Sequence, residues 1–332
     1  MKQDKTFFAQ LITIIFTIIF MGALSAKADI KVVTTIKPLH SLISNVMDGI
    51  GEPSLIIEGS TSPHSFVLKP SHAKLIEQAD IIFWIGEDIE TFMEKPLESI
   101  AKNAKKVSFM ELSSIEKLKF REENIFEHED HDDHGHDEKK DHDDHGHDEK
   151  KDHDDHGDGH EGHHHGEFDA HIWLDPANAK EMLHEIAHEL ADLDPANDDK
   201  YESNADNTIK SIDDMISSVS SSINKNAKFI VFHDAYQYFE KRFGVATAGA
   251  LTLNTDVLPG AKQISEIQEV IAERDIKCIF SEPQFNPKII ETIAQDTGIK
   301  TGVLDPLGSI FDAGKSQYFT LINDLGDKLK DC

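Results

Sequence analysis

Five side chains with metal-binding chemistry stand at the ends of short β-rich runs. His233 directly follows the apolar run Phe229–Phe232, at the carboxyl end of a predicted strand. His64 comes after a strand ending near Ile57, across the loop 58–63, and His171 lies in Phe168-Asp169-Ala170-His171-Ile172-Trp173-Leu174-Asp175-Pro176, just before a capped helix. Two acids occupy similar places: Glu282 after Cys278–Phe280, and Asp305 after Gly302–Leu304. Open α/β sheets bind ligands in the crevice beyond the carboxyl ends of their strands. Three imidazoles with a carboxylate or a water form a tetrahedral set suited to Zn²⁺. Hard cations such as Mn²⁺ favour more oxygen ligands. Any one of these histidines alone reads as a polar loop residue, and it is the coincidence of position that carries the metal reading.

A second constellation competes with it. His184-Glu185-Ile186-Ala187-His188 is a literal H-E-x-x-H, which on a helix would put zinc on His184 and His188 with Glu185 as the general base of a secreted metallopeptidase. No third ligand follows at the usual spacing, and a downstream acid such as Glu202 lies beyond a helix break. Leu183, Ile186, Leu190 and Leu193 mark the apolar stripe of this helix. His184, Glu185 and His188 fall on its other side, with Lys180, Glu181 and Asp192, as on a solvated face.

The elements that must position these groups alternate between strand and helix. Ile30–Ile36, Ser54–Ile57, Ile81–Ile85 and Lys106–Phe109 read as strands in the first half; Phe229–Phe232, Cys278–Phe280 and Gly302–Leu304 follow in the second. Stretches such as Pro70–Ala79 and Ala261–Ala272 carry helical spacing. The expected class is α/β, with two lobes, each a mostly parallel sheet flanked by helices. Between the halves, Asp194-Pro195 is a helix start. Ala205, Ile209, Ile212, Ile216, Val219 and Ile223 then continue the stripe of one long amphipathic helix. The expected division is an N-terminal lobe over 29–193, a linking helix over 194–224 and a C-terminal lobe over 225–332, with the metal site in a cleft between lobes that do not hinge freely.

The two ends of the chain and one internal tract are different in kind. Lys2 and Lys5, an apolar run from Leu11 to Leu24 and the A-x-A site Ala26-Lys27-Ala28 form a secretory signal peptide over 1–28, cleaved after Ala28. A transmembrane anchor would need about 20 apolar residues, and a lipid anchor a nearby Cys. Cys278 and Cys332 are the two cysteines of the chain; an oxidising compartment favours a disulfide over two unrelated thiols. Residues 127–167 contain an 11-residue repeat without apolar members, so it is no coiled coil and is expected to be a disordered, solvated loop. The tract supplies about half of the formal charge of −29, which argues against nucleic acid and for attracting cations. Twelve of its thirteen histidines, His131, His134, His136, His142, His145, His147, His153, His156, His160, His163, His164 and His165, read as an auxiliary, weaker zinc-collecting set; the plainer alternative is a solvated spacer.

Five ordered motifs then resemble a known family. Ser62-Pro63-His64-Ser65-Phe66 with Lys69-Pro70-Ser71, His171-Ile172-Trp173-Leu174-Asp175-Pro176, Phe232-His233-Asp234-Ala235-Tyr236, Ser281-Glu282-Pro283-Gln284-Phe285 and Leu304-Asp305-Pro306-Leu307-Gly308 look like the successive signatures of the ZnuA-type periplasmic zinc-binding proteins of high-affinity zinc-uptake ABC transporters. The resemblance runs from about Ile30 to Cys332. It implies a non-enzymatic, monomeric periplasmic protein that carries Zn²⁺ to an inner-membrane ABC permease. It implies His64, His171 and His233 as ligands and a Cys278–Cys332 disulfide. Manganese-binding relatives carry Glu where this chain has His233, which supports zinc. Some members have Glu before the first ligand His, where this chain has Pro63, so the fourth position is open: Asp305 is the first candidate, then water, then Glu282. A surface-adhesin role, assigned to some relatives, has no feature here that would show it.

Overall fold

Two four-stranded parallel sheets with the same strand order carry the molecule. The computed structural model describes residues 30–126 and 166–332, apart from Asn254 and Asp256. The expected leader, the body of the His/Asp tract and its auxiliary histidines His131 to His165 lie outside the described residues. The first sheet contains β1 (Val32–Thr34), β2 (Ser54–Leu55), β3 (Ile81–Trp84) and β4 (Lys105–Ser108) in the order β2-β1-β3-β4. The second contains β5 (Phe229–His233), β6 (Ala250–Thr252), β7 (Cys278–Ser281) and β8 (Lys300–Val303) in the order β6-β5-β7-β8. Each chain path winds outward in one direction and then the other, which puts a switch point between β1 and β3 and another between β5 and β7. Every residue of β1, β3 and β5 is buried, as expected of parallel strands covered on both faces.

The covering helices are α1 (Lys37–Val46), α2 (Pro70–Gln78), α3 (Glu94–Ser99), α4 (Pro176–Leu193) and α5 (Asp198–Ser222), then α6 (Gln237–Phe243), α7 (Ala261–Glu273), α8 (Lys288–Thr297) and α9 (Gln317–Lys328). The long helix α5 runs about 37 Å after a tight turn at Pro195–Asn197. The expected cap Asp194 does not close α5 with its side chain; its carboxylate accepts instead from Asn197 Nδ2 at 2.5 Å and the Tyr201 hydroxyl at 3.4 Å. The buried stripe of α5 is Tyr201, Ala205, Thr208, Ile212, Met215 and Val219, with Ile209 and Ile216 only half-buried at its margin. Leu193, expected in the apolar stripe of α4, is 38% exposed because the helix ends there and the chain turns away. The C-terminal helix α9 packs on α1 and α5, and the Tyr318 amide donates to Ser41 Oγ at 3.0 Å. A disulfide joins Cys278 at the start of β7 to Cys332, with Cα atoms 5.6 Å apart. In the chain-entropy model a loop of this size contributes about 4 kcal/mol.

Strand β6 had no signal in the sequence: Ala250-Leu251-Thr252 after Gly249 shows no β-branched run, and it is defined by pairing to β5 on one side and by contacts with residues 124–126 on the other. At the carboxyl end of β3, the carboxylate of the buried Glu90 accepts from the amides of Ile85 (2.8 Å) and Gly86 (3.4 Å). Burial pushes Glu90 up to about 7 against the pull of these amides. Its folded value lies above the unfolded one, so this carboxyl lowers stability progressively as pH rises from about 4.5 to 7 and by a constant amount beyond. Replacing Glu90→Gln keeps an acceptor for the amides and removes that slope. Urea denaturation at pH 5 and pH 8 should show the variant gaining up to about 3 kcal/mol relative to wild type at the higher pH; equal pH dependence in both proteins would refute the assignment.

Candidate metal centre

Each histidine is held by a different local device. His64 sits in a 3₁₀ turn, Pro63–Ser65, whose cap is Ser62: its Oγ accepts from the His64 amide at 3.3 Å. Pro63, the departure from the family pattern, therefore occupies the first position of this turn, where its fixed φ and missing N–H suit the backbone. His171 precedes the turn Ile172–Leu174 and α4. Asp169 Oδ1 accepts from both its amide (3.0 Å) and its Nδ1 (2.6 Å). The start of α4 is fixed by Asp175, whose Oδ1 accepts from the Ala177 amide at 2.8 Å, while Arg242 binds both carboxylate oxygens at 2.6 and 2.8 Å. His233 is the last residue of β5, and its Nδ1 lies 2.7 Å from Oε1 of Glu282, the residue after β7. That pair bridges the switch point of the second sheet.

The tautomers follow from these contacts. A carboxylate can only accept, so Nδ1 carries the hydrogen in both His171 and His233. Their Nε2 atoms then face each other at 3.3 Å. Two bare lone pairs repel at that distance unless a cation or a shared proton lies with them. Two imidazole nitrogens bound tetrahedrally to one Zn²⁺ at about 2.0–2.1 Å would stand roughly 3.3–3.4 Å apart. The His64 ring completes the trio, with centroids 5.5 Å from His171 and 5.8 Å from His233. One ligand atom from each of the three histidines lies within 4.8 Å of the others, the one such group of three or more metal-capable side chains among the described residues. The cavity they line measures about 10 Å³, space for one ion or one water. Trp173, with ring centroid 5.3 Å from His171, and Phe285, 5.6 Å from His233, supply apolar walls.

Burial governs the electrostatics. It drives His171 well below the usual imidazole range, helped by the nearby His233, so His171 stays neutral. Burial also pulls His233 down, but the charge and hydrogen bond of Glu282 outweigh it and the net shift is upward. Desolvation raises Glu282, and pushes Asp169 up to about 7 in spite of the His171 amide. Asp234, next to His233, is also pushed to about 7 by burial, although Arg121 donates to it at 2.7 Å.

Not all of the expected donors converge. Asp305 is engaged elsewhere: Oδ1 accepts from the Leu307 amide (3.1 Å) and Gln284 (2.8 Å), and Oδ2 from the Ser309 amide (2.6 Å) and hydroxyl (2.7 Å). Its four donors make it the organiser of the turn after β8 and leave it outside the trio. Glu282 likewise stands behind a ligand, orienting His233. The residue the sequence reading passed over is Asp169, whose other oxygen accepts from Gln237 at 3.1 Å. An Asp two residues before a candidate ligand was the available signal, because that spacing lets one carboxylate hold both the amide and the ring. His184 and His188 lie exposed on α4. Glu185 is half-buried, with its carboxyl raised by burial and by Glu189, and does not line the groove that holds the two histidines. The peptidase arrangement is not assembled.

The model of the family described as zinc-uptake complex component A, periplasmic, matches residues 32–332. The high-affinity zinc uptake system protein ZnuA of Brucella abortus (strain 2308) is 47% identical over 315 residues, covering 94% of each chain. A crystal structure of ZnuA aligns with a TM-score of 0.69 at 21% identity, covering 90% of this chain and 99% of that one. The laminin-binding protein Lmb of Streptococcus agalactiae aligns with a TM-score of 0.67 at 22% identity, covering 91% and 100%; at such identities these two show a shared fold. With 301 consecutive positions matched by the family model and nearly half of all residues shared with a full-length relative, the chain belongs to the periplasmic zinc-uptake component A family.

Proposed function

We propose that the chain captures one Zn²⁺ ion in the periplasm on His64, His171 and His233, with water at the fourth position, and hands it to an inner-membrane ABC zinc importer. The observation that carries the reading is the 3.3 Å approach of two Nε2 atoms whose Nδ1–H groups are both tied to buried carboxylates. An all-imidazole trio in a cavity of single-ion size fits zinc better than a hard, oxygen-seeking cation. The family, a zinc-uptake component, supports a protein that acts by holding and releasing the ion. Secretion by the leader and the family assignment support the compartment. Among the described residues no helix is long and apolar enough to cross a membrane.

Calorimetric titration of the metal-stripped mature chain should show one tight zinc that disappears in the His64→Ala/His171→Ala/His233→Ala variant. Tight binding that survives all three changes would move the site elsewhere. Because imidazolium cannot ligate, and Glu282 raises His233 above the ordinary imidazole range while His171 stays neutral, the wild-type affinity should begin to fall at a pH above that ordinary range and keep falling on acidification.

Asp169→Asn and Glu282→Gln keep an acceptor for Nδ1–H but remove the charge that raises ligand basicity. Each should weaken zinc binding by about 10- to 100-fold with the fold intact by circular dichroism. An affinity unchanged in both would mean that these carboxylates only support the fold.

The His/Asp tract is proposed to collect zinc weakly beside the tight site, through its many imidazoles and its negative charge. Deleting residues 128–165 should reduce the number of weakly bound zinc ions while the tight one remains. Unchanged stoichiometry would leave the tract as a spacer.

A further inference from the structure

The H-E-x-x-H segment has a use that needs no catalytic base. Helices α4 and α5 run antiparallel, joined at one end by the turn through Asp194-Pro195 and tied further along by Lys180 Nζ to Asp213 at 2.8 Å. On one side of this hairpin lies an open groove of about 560 Å³. His184, His188 and Asp192 of α4 line it, facing Asp198, Glu202 and Asp206 of α5, and Ala187, Ala191 and Ala205 keep its floor low. His184 and His188 are one helical turn apart, as are Glu202 and Asp206, so each pair projects from one face of its helix.

None of His184, His188, Asp198, Glu202 and Asp206 is engaged in a hydrogen bond or ion pair among the described residues. Asp192 is the exception, 3.7 Å from Lys105, which also binds Glu189. Two imidazoles and two or three carboxylates without competing partners form a mixed N/O donor set. That is the set that suits borderline divalent ions, with affinity rising along the first-row series to Cu²⁺. The adverse term is conformational: the donors are exposed, and they have not converged as the cleft trio has. An ion must therefore order several side chains as it binds, and the affinity must be well below that of a preformed site.

We infer that the α4–α5 groove is a second, lower-affinity site for a borderline divalent cation, held by His184 and His188 from one helix and by Glu202 and Asp206 from the other. The site shares no residue with the cleft trio. Glu185, set off the groove toward Glu189, takes no part, so the site binds an ion without hydrolytic chemistry.

The test must distinguish these two rings from the many in the tract. The full mature chain, labelled with ¹⁵N-histidine and loaded with one equivalent of zinc, is titrated with further zinc while imidazole resonances are followed; His184→Ala and His188→Ala variants assign the two signals. Both rings should shift together with one shared apparent Kd. Glu202→Gln/Asp206→Asn should weaken that Kd several-fold, and His184→Ala/His188→Ala should leave the tight cleft stoichiometry unchanged. Rings that stay unshifted while the tract signals move would overturn the site. A shared shift that is insensitive to the Glu202/Asp206 changes would overturn the bridging of the two helices. Either failure is independent of whether the cleft histidines bind zinc.

Discussion

A buried carboxylate that accepts from the Nδ1–H of an imidazole fixes the tautomer and ring orientation, and leaves the Nε2 lone pair pointing in one direction. In this protein the device occurs twice, through Asp169 on His171 and Glu282 on His233, and the two Nε2 atoms face each other at 3.3 Å. Everything else at the site can be understood as the means of keeping those two atoms together, with a shared proton or a cation between them. The carboxylates are themselves buried, a costly arrangement unless each is well partnered. Asp169 has Gln237 on its second oxygen, and its own backbone carbonyl accepts from the Tyr238 hydroxyl at 2.6 Å.

The fold meets the constraint by bringing two sequence-distant segments to one switch point. His233 and Glu282 end adjacent strands of the second sheet, where the strands diverge and leave a crevice. His171 and Asp169 come from the segment 166–175 that leads into α4. That segment is clamped to the second lobe on several sides: Trp173 Nε1 donates to the Pro306 carbonyl at 2.8 Å, and Tyr318 donates to the Trp173 carbonyl at 2.9 Å. Asp305, by organising the turn Pro306–Ser309, positions the carbonyl that Trp173 uses. Its contribution to the site is thus one step removed from the metal, through a turn and an indole.

Sequence position singled out the three histidines that the structure brings together, but only His233 ends a strand, as an apolar run followed by a polar residue predicts; His64 lies in a 3₁₀ turn and His171 precedes one. It was not enough to sort the acids. Asp305 and Glu282 have equivalent places in the pattern, yet one holds a turn and the other an imidazole, and only the tertiary neighbours Ser309, Gln284 and His233 separate them. Asp169 was legible in principle from its spacing to His171 but carried no apolar run to mark it. Strand β6 escaped for a related reason: three residues, Ala250–Thr252, are a strand by virtue of what β5 offers them. In α4 the period of the apolar stripe was read correctly through Leu190 and overran by one position at Leu193, since periodicity cannot tell where a helix stops being covered.

The long helix was expected to limit hinging; among the described residues it is accompanied by several other contacts between the two halves. Helix α9 from the end of the chain crosses back to α1 and α5, and Lys37 Nζ donates to the carbonyls of Ser309 (2.6 Å) and Phe311 (2.8 Å). On the other side of the site, Arg121 from the first half binds Asp234 at 2.7 Å and Glu240 at 2.8 Å, and the Leu118 amide donates to Tyr238 at 2.9 Å. Opening the cleft as a hinge would break these ties together, and several of the groups exposed or stranded by it are charged and buried. Local rearrangement of the short segments that carry the ligands, above all the 3₁₀ turn bearing His64, breaks far fewer of them. A cleft tied across both faces in this way holds its pair of imidazoles through contacts that come from both halves of the chain.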